Sequence, residues 1–318
     1  MDIGALFDVL WSDIKDDDLV EKVRPLLAHY TSLQGLESIL SGDQIWFSNP
    51  LFMNDLDEVI SCIRDGSFRM LTSEKLIEAC GSPGRAGIFR KSLDACRKRF
   101  ATEHMFDTYL FCFSEHDPKD YDGILSMWRG YASNATGAAL VVDTSKITFL
   151  QSSALIVHRV TYASPEEQGA WVDKKIDEAC EILRAADLPD EQMFQPAQCL
   201  FERLKRFALF TKHVGFKEER EWRVAYTVGD DPDIRLKSMF SYHIGPRGIE
   251  PKLKFKIAPA DGLTDPTLSL AAIVNRILIG PANKSMLAVQ TVQRMLDCIS
   301  KPQLRGLVHA SRIPYRAF

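Results

Sequence analysis

The sequence predicts a mixed α+β fold, and three observations support this prediction. The 318 residues are 46% hydrophobic and 26% charged, the balance of a folded globular protein with a sizeable core. Short runs with β-like patterning alternate irregularly with longer helical stretches, unlike the regular strand–helix order of a doubly wound sheet. The glycine-rich signatures of Rossmann and P-loop nucleotide sites do not occur in the sequence.

Periodicity and turn residues predict the elements of the first half of the chain. Residues 3–22 carry apolar side chains spaced as on one helix face, so residues 1–25 are expected to form an N-terminal helical segment. LLAHYTS is a short apolar run typical of a strand, and Ser32 can cap the helix that follows. QIWFSNP is expected to be a strand that Pro50 ends, and residues 68–103 are expected to be mostly helical.

The second half of the chain combines apolar strands with one long helical stretch. TYLFCFS, AALVVD, LIVHRVTYA, KLKFKIAP and NRILIGP are predicted strands, and residues 165–208 are predicted to be helical. EREWRVAYTV alternates as a strand does. Its period predicts that Glu219, Glu221 and Arg223 share one face of that strand.

Charge and cysteine usage narrow the class of protein. The net charge is −4 and the pI is about 6.0, which excludes a globally basic nucleic-acid binder but not a local basic groove. The seven cysteines include no C-x-x-C pair, so we expect reduced thiols and no zinc knuckle. The N-terminus is unlike a secretory signal, and no apolar stretch approaches about eighteen residues. We therefore expect a cytoplasmic protein without a membrane partner.

Two polar clusters stand near the N-terminal strands. His29, Tyr30 and Thr31 precede a helix, and these side chains can hydrogen-bond a ribose hydroxyl. A half-buried histidine beside a helix cap explains the same residues equally well. Ser48 and Asn49 lie where the next strand ends and can form either a turn or a polar loop beside a ligand.

Two further clusters lie in the second half of the chain. Trp128 and Tyr131 can stack a planar ring or pack into the core. Glu219, Glu221 and Arg223 can form an exposed polar face, or can line a cleft in which the arginine keeps a catalytic carboxylate ionised.

The order of these clusters resembles a known family. The segments HYTSLQGLESIL, IWFSNP and NDLDE, followed by LFCFSE, MWRGYASNATGAALVVD, FKEEREWRV and ILIGP, resemble the bacterial domain-of-unknown-function family numbered 2971. The resemblance extends from about Leu26 to Tyr315. The family name itself implies no activity.

A more distant resemblance is to ADP-ribosyltransferases of the histidine–tyrosine–glutamate type. In those enzymes a His followed by Ser or Thr lies on the first strand, a later Tyr stacks the nicotinamide, and a final Glu lines the cleft. His29 with Thr31 resembles the first element, and Tyr131 resembles the second. Glu221 resembles the third, with Glu219 as a close rival.

The resemblance implies a fold as well as a site. Residues 26–318 would form a single domain with split antiparallel β-sheets around a cleft and helical insertions near 68–103 and 165–208. Two departures argue against polymer formation: Tyr30 stands where poly-ADP-ribosyl enzymes usually carry Gly, and Tyr131 lacks their serine-rich flank.

The implied activity is transfer of ADP-ribose from NAD to a macromolecule. Glu221 or Glu219 would be catalytic, and the residues expected to bind NAD are His29, Tyr30, Thr31, Ser48, Asn49, Trp128, Tyr131 and Arg223. A carboxylate can stabilise the oxocarbenium character that develops on the ribose, so NAD is the substrate and no metal is expected. The acceptor could be RNA, DNA or protein. Such a bacterial toxin or phage-defence effector would need an inhibitory, antitoxin-like partner.

Two other functions remain open from the sequence. The chain could be a non-catalytic sensor or interaction module on a degenerate transferase fold. It could also be a metal-dependent nuclease or hydrolase that uses His29, Asp55 and Glu58 together with the Glu219/Glu221 pair, although their spacing matches no tight metal signature.

Overall fold

The chain divides into two compact units, each assembled from three segments. Unit 1 comprises Met1–Asp16, Pro50–Thr108 and Val160–Phe216, and unit 2 comprises Asp17–Asn49, Tyr109–Arg159 and Lys217–Phe318. The computed structural model describes residues 2–53, 56–150, 153–245 and 248–315, with only the backbone of residues 56–58.

Strands and helices follow one another irregularly along the described residues. The strands are β1 (Leu26–Thr31), β2 (Gln44–Ser48), β3 (Thr108–His116), β4 (Ala138–Asp143), β5 (Leu155–Arg159), β6 (Thr161–Ala163), β7 (Thr211–His213), β8 (Glu221–Thr227), β9 (Phe240–Gly245), β10 (Gly248–Lys256), β11 (Val274–Ile279) and β12 (Val308–Ala310). The α-helices are α1 (Ile3–Leu6), α2 (Val20–Val23), α3 (Leu33–Gly42), α4 (Leu56–Thr72), α5 (Glu74–Ala79), α6 (Pro83–Arg99), α7 (Leu125–Tyr131), α8 (Pro165–Ala185), α9 (Phe194–Leu209), α10 (Leu270–Ile273) and α11 (Met286–Cys298). None of these helices has both the length and the apolar character needed to cross a membrane.

Unit 2 contains a ten-stranded sheet. Its main path has the order β12-β11-β4-β1-β3-β2-β10-β9, and β8 pairs with both β3 and β5. The pairs whose registers are described are antiparallel except for β11 with β12, which is parallel. The predicted mixed α+β class is confirmed. The topology differs from the expected two separate antiparallel sheets, because the described strands of unit 2 join into one sheet.

The stretch over which β1 pairs with β3, called here the β1–β3 joint, is short. Residues Leu26–Ala28 pair with Ser114–His116, and this register covers three residue pairs. Beyond Ala28, β1 continues to pair with β4 as far as Thr31. His29 is therefore the first residue of β1 past the joint, at the point where β1 leaves its register with β3.

Apolar residues cover both faces of the strands next to this joint. On one face, Leu27 of β1 and Leu140 of β4 belong to the larger core cluster. On the other face, Ala28 and Tyr30 pack in a smaller cluster with Trp128 of α7. A strand buried on both faces is strongly held in register, since a shift by one residue would exchange the two sets.

Unit 1 is mostly helical and contains both helical stretches expected from the sequence, with α5 and α6 in the stretch near 68–103 and α8 and α9 in the stretch near 165–208, which α9 exceeds by one residue. Helix α4 approaches α9 closely, because a Cβ built at Gly66 would lie 2.6 Å from a methyl carbon of Leu204. Phe100 and Phe201 form an edge-to-face ring pair inside this unit. Strands β6 and β7 form a short parallel pair in the same unit.

The N-terminal segment is not the single helix predicted over residues 3–22. It consists of α1, two short 3₁₀ turns and α2. A half-buried ion cluster lies at the end of its first part: Asp13 accepts hydrogen bonds from Arg203 at 2.8 Å and from the indole N–H of Trp171 at 2.8 Å. The ammonium of Lys175, which is completely buried, lies 2.9 Å from the same carboxylate. Tertiary charge pairing outweighs the local apolar periodicity here.

We predict that Asp13→Asn lowers the free energy of unfolding by about 3 kcal/mol, because Arg203 loses that negative charge while Lys175 keeps only its pairing with Glu178 at 2.8 Å. Urea denaturation measures this loss. Asp16→Asn, an exposed neighbour, is the control and should stay within about 0.5 kcal/mol of wild type. An Asp13→Asn variant as stable as the control would contradict the assignment.

The same carboxylate predicts a pH dependence. Burial opposes ionisation, but the hydrogen bonds from Arg203, Trp171 and Lys175 lower the pKa of Asp13 to about 2. Its stabilising contribution is therefore complete above the ordinary pKa of 3.8 and is lost as the pH falls through about 2. Asp13→Asn should show a shallower loss of stability than wild type over this interval.

Candidate functional site

The second and third elements of the expected site are in direct contact in unit 2. The hydroxyl of Tyr131 donates a hydrogen bond of 2.9 Å to Oε1 of Glu219, 88 residues later in the chain. Tyr131 is the last residue of α7 and its side chain is 44% exposed, whereas Glu219 is buried. A buried carboxylate thus meets an exposed phenol at the surface of this unit.

Strand β3 fixes the backbone of Glu219. The hydroxyl of Ser114 donates to the carbonyl oxygen of Glu219 at 2.6 Å. The next residue, Arg220, has a left-handed φ of 48°, and its carbonyl accepts from the backbone N–H of Glu115 at 2.8 Å. A non-glycine residue in this region is strained unless its surroundings hold it there.

Glu115 helps to keep Arg220 in this conformation. Its carboxylate accepts hydrogen bonds from Nη2 of Arg220 at 2.8 Å and from the indole N–H of Trp222 at 3.0 Å, and it also binds Arg159. Burial alone would raise the pKa of Glu115, but donation by Trp222, Arg220 and Arg159 lowers it below its ordinary value. The carboxylate therefore stays ionised and anchors the start of β8.

The prediction that Glu219, Glu221 and Arg223 share one face of a strand is wrong for Glu219. Glu219 ends a 3₁₀ segment, and β8 begins at Glu221, so the left-handed Arg220 separates the two glutamates. Glu219 is therefore not a strand residue on the same face as Glu221 and Arg223.

Glu221 and Arg223 form a buried ion pair. Nε of Arg223 donates to Oε1 of Glu221 at 2.8 Å, and Nη2 donates to Oε2 at 3.2 Å. The two side chains are 6% and 1% exposed, respectively. The exposed polar face considered from the sequence is thus absent, because β8 pairs with β3 and β5 and both charges are enclosed.

His29 lies beside the same stretch of β3. Its Nδ1 is 3.1 Å from the carbonyl oxygen of Cys112, and its ring centroid is 4.4 Å from that of Phe111. Burial lowers the pKa of His29 to about 4, although the bond to Cys112 opposes this shift. The imidazole is therefore neutral near pH 7, with Nδ1–H donating to the carbonyl and Nε2 left as an acceptor.

These groups meet β3 on different sides. His29 contacts the rings of Phe111 and Phe113, whereas the Glu219 segment binds the hydroxyl of Ser114. Side chains alternate along a strand, so Phe113 and Ser114 point to opposite faces. The structure joins Tyr131 to Glu219 and places His29 beside the same four residues, 111–114.

Tyr30 and Trp128 pack against each other in the smaller core cluster. Their rings are in edge-to-face contact at 4.9 Å, and Trp128 is completely buried. The hydroxyl of Tyr30 accepts from the backbone N–H of Ile124 at 2.9 Å, and the indole of Trp128 donates to the carbonyl of Asp122 at 2.8 Å. Both side chains contribute packing and fix the start of α7.

Ser48, Asn49 and Thr31 are the remaining residues expected to bind NAD. The hydroxyl of Ser48 accepts from Nζ of Lys252 at 2.9 Å, across the β2–β10 pair. Asn49 is fully buried. Thr31 packs so closely on the first turn of α3 that a Cβ at Gly35 would lie 2.2 Å from its hydroxyl oxygen.

Sequence reasoning missed Ser114 and Glu115, the two residues of β3 that position Glu219 and Arg220. The available signal was that polar side chains end the apolar run TYLFCF. Of the alternative metal site, Asp55 lies outside the described residues, as does the side chain of Glu58. Among the described residues, no group of three or more His, Cys, Asp or Glu side chains could hold a metal ion.

We predict that Glu221→Gln destabilises the protein by about 3 kcal/mol, because the buried guanidinium of Arg223 loses the negative charge of the Glu221 carboxylate. Replacing both residues, as in Glu221→Gln with Arg223→Met, should recover part of this loss. Urea denaturation of the two variants provides the measurement. If the single variant is as stable as wild type, the ion pair does not have the structural role assigned to it.

The neutral imidazole of His29 predicts a second effect. Because its pKa is lowered in the folded protein, the unfolded chain takes up the proton more readily, and stability falls as the pH drops from about 6.5 toward 4. His29→Gln should reduce this slope in denaturation curves collected across that range. A folded His29→Gln variant that keeps the wild-type slope would contradict this assignment.

The segment that carries the glutamates also matches a protein family. A family model described as "Protein of unknown function (DUF2971)" matches residues 127–224. No curated protein and no solved structure matches the chain. The matched residues begin in α7 and end in β8, so they include Tyr131, Glu219 and Glu221. The segment 127–224, which contains Tyr131 and Glu219, is thus similar to a family whose description assigns no activity.

Proposed function

We propose that the protein is an NAD-consuming ADP-ribosyltransferase in which Glu219 is the catalytic carboxylate. The observation that supports this most is the hydrogen bond of 2.9 Å between Tyr131 and Glu219. It links two residues that the sequence resemblance assigns to the nicotinamide-stacking and catalytic roles. The contact brings to one place the aromatic ring and the carboxylate that these two roles require.

The chemistry suits a fixed carboxylate. Breaking the nicotinamide–ribose bond develops positive charge on the sugar, and a nearby negative charge stabilises that transition state more than the ground state. Glu219 is held by Ser114 through its backbone and by Tyr131 through its side chain. Such preorganisation reduces the reorganisation needed during the reaction.

Glu221 is better suited to a supporting role. Both of its carboxylate oxygens accept hydrogen bonds from Arg223 inside the sheet. A carboxylate whose two oxygens are both bound by a guanidinium is less available to a substrate. We therefore assign it to holding β8 in place, next to the segment that carries Glu219.

His29 is not assigned to the NAD molecule held by Tyr131 and Glu219, because its ring lies on the opposite face of β3. Its neutral ring uses Nδ1–H toward the Cys112 carbonyl, which fixes the ring orientation and leaves Nε2 as a hydrogen-bond acceptor. NAD enters as a substrate that supplies ADP-ribose, and the chemistry requires no metal. A macromolecular acceptor, in RNA, DNA or protein, fits a toxin or phage-defence effector kept in check by an inhibitory partner.

The test is turnover of labelled NAD by the purified protein in the presence of protein, RNA and DNA pools. We expect nicotinamide release with transfer of ADP-ribose to one pool. Glu219→Gln should lower kcat by about 10²–10³-fold with little change in KM, because it removes the charge that matters in the transition state. Tyr131→Phe should lower kcat less, since it keeps the ring and removes one hydrogen bond.

Glu218→Gln is the matched control, because Glu218 is the exposed neighbour of Glu219 and should retain wild-type turnover. A folded Glu219→Gln variant with wild-type kcat would refute the catalytic assignment. If the wild-type protein turns over no NAD with any pool, the non-catalytic alternative replaces the proposal. Cleavage of RNA or DNA that a chelator abolishes would support the metal-dependent alternative instead.

A further inference from the structure

Unit 2 contains a cavity of about 460 Å³ whose lining includes none of the residues of the candidate site. Tyr121, His309 and the apolar side chains of Met286 and Val308 contribute to its wall. Lys284 and Arg312 add two cationic groups to the same wall. The volume falls within the range of about 300–1,000 Å³ that small-molecule sites occupy.

The cationic groups give the cavity a positive character. Nζ of Lys284 donates to the carbonyl of Ile313 at 3.3 Å, which keeps the ammonium near the cavity without neutralising it. Arg312 is 81% exposed at its side chain and lies 3.6 Å from Asp122, a long and solvated contact. An exposed ion pair of this kind is weak, so the guanidinium can turn toward an anion at little cost.

An aromatic ring completes the cavity. The guanidinium of Arg276 lies 4.2 Å from the centroid of the Tyr121 ring, and the ring of His309 meets Tyr121 edge-on at 5.0 Å. Arg276 is itself fixed by hydrogen bonds to the carbonyls of Asp120 and Pro118. The Tyr121 side chain is therefore held in one orientation while 42% of its surface stays exposed.

The neighbouring helix end reinforces the preference for an anion. Lys284 lies just before α11, a helix of 13 residues whose N-cap Ser285 binds the N–H of Ala288 at 3.1 Å. The partial positive charge of this helix end adds to the charges of Lys284 and Arg312. Met286, at the first position of the helix, is 72% exposed and extends the apolar wall.

We propose that this cavity binds a small anion that carries a planar ring, of the phosphorylated nucleoside class. The phosphate lies between Lys284 and Arg312, and the ring packs against Tyr121 and the apolar wall. The proposal goes beyond the transferase function and does not depend on it, since its residues belong to another cluster of unit 2.

Isothermal titration calorimetry with inosine 5′-monophosphate tests the proposal, because this nucleotide is not a fragment of NAD. We expect saturable binding to the full chain that is at least ten-fold tighter than binding of inosine or of inorganic phosphate alone. Lys284→Ala combined with Arg312→Ala should weaken the binding at least ten-fold, because both phosphate contacts are lost. Tyr121→Leu should weaken it several-fold and bring the affinity closer to that of phosphate.

Arg294→Ala is the control, since Arg294 is an exposed cation on the same helix that does not line the cavity. It should change the affinity less than two-fold. The proposal is overturned if the nucleotide does not bind, if phosphate alone binds as tightly, or if the Lys284/Arg312 double variant binds like wild type. Glu219→Gln should bind the nucleotide normally, so failure here is distinguishable from failure of the transferase proposal.

Discussion

The carboxylate of Glu115 is the contact on which the arrangement of unit 2 around the candidate site depends. It lies on β3 and binds Arg159 of β5 together with Arg220 and Trp222 at the start of β8. One ionised side chain thus connects three strands, and charge-assisted bonds of this kind are stronger than neutral ones. The left-handed conformation of Arg220 persists because Glu115 binds both its carbonyl and its guanidinium.

The turn at Arg220 separates the roles of the two neighbouring glutamates. Glu221 enters the sheet and meets Arg223, whereas Glu219 stays outside β8 and meets Tyr131. The short joint between β1 and β3 complements this division, because it ends where His29 begins to use the Cys112 carbonyl as a partner. The turn at Arg220 and the end of the β1–β3 joint each place a polar group beside residues 111–114 of β3. The rest of β3 packs in an apolar core.

Local patterns in the sequence were sufficient for the strands with continuous apolar runs. β3, β4 and β11 coincide with TYLFCFS, AALVVD and NRILIGP, because strands buried among neighbours need little polar patterning. The single helix expected over residues 3–22 is not formed, and Asp13 within this stretch binds Arg203, 190 residues away. No local pattern contains that information.

Local sequence patterns were also insufficient to define the candidate site. His29, Tyr131 and Glu219 were proposed from the sequence by their residue types and their order along the chain. The contact between Tyr131 and Glu219 joins residues that are 88 positions apart in the chain. The left-handed conformation occurs at Arg220, where no glycine in the sequence indicates it. The choice between Glu219 and Glu221 therefore required the geometry of β8 and its ion pair with Arg223.

A crystal structure of the protein with NAD bound is the most direct test of the transferase proposal. The account predicts that the nicotinamide packs on the Tyr131 ring, with the attached ribose within hydrogen-bond distance of the Glu219 carboxylate. Nicotinamide bound away from Tyr131 and Glu219, or NAD absent from unit 2 at saturating concentration, would contradict it.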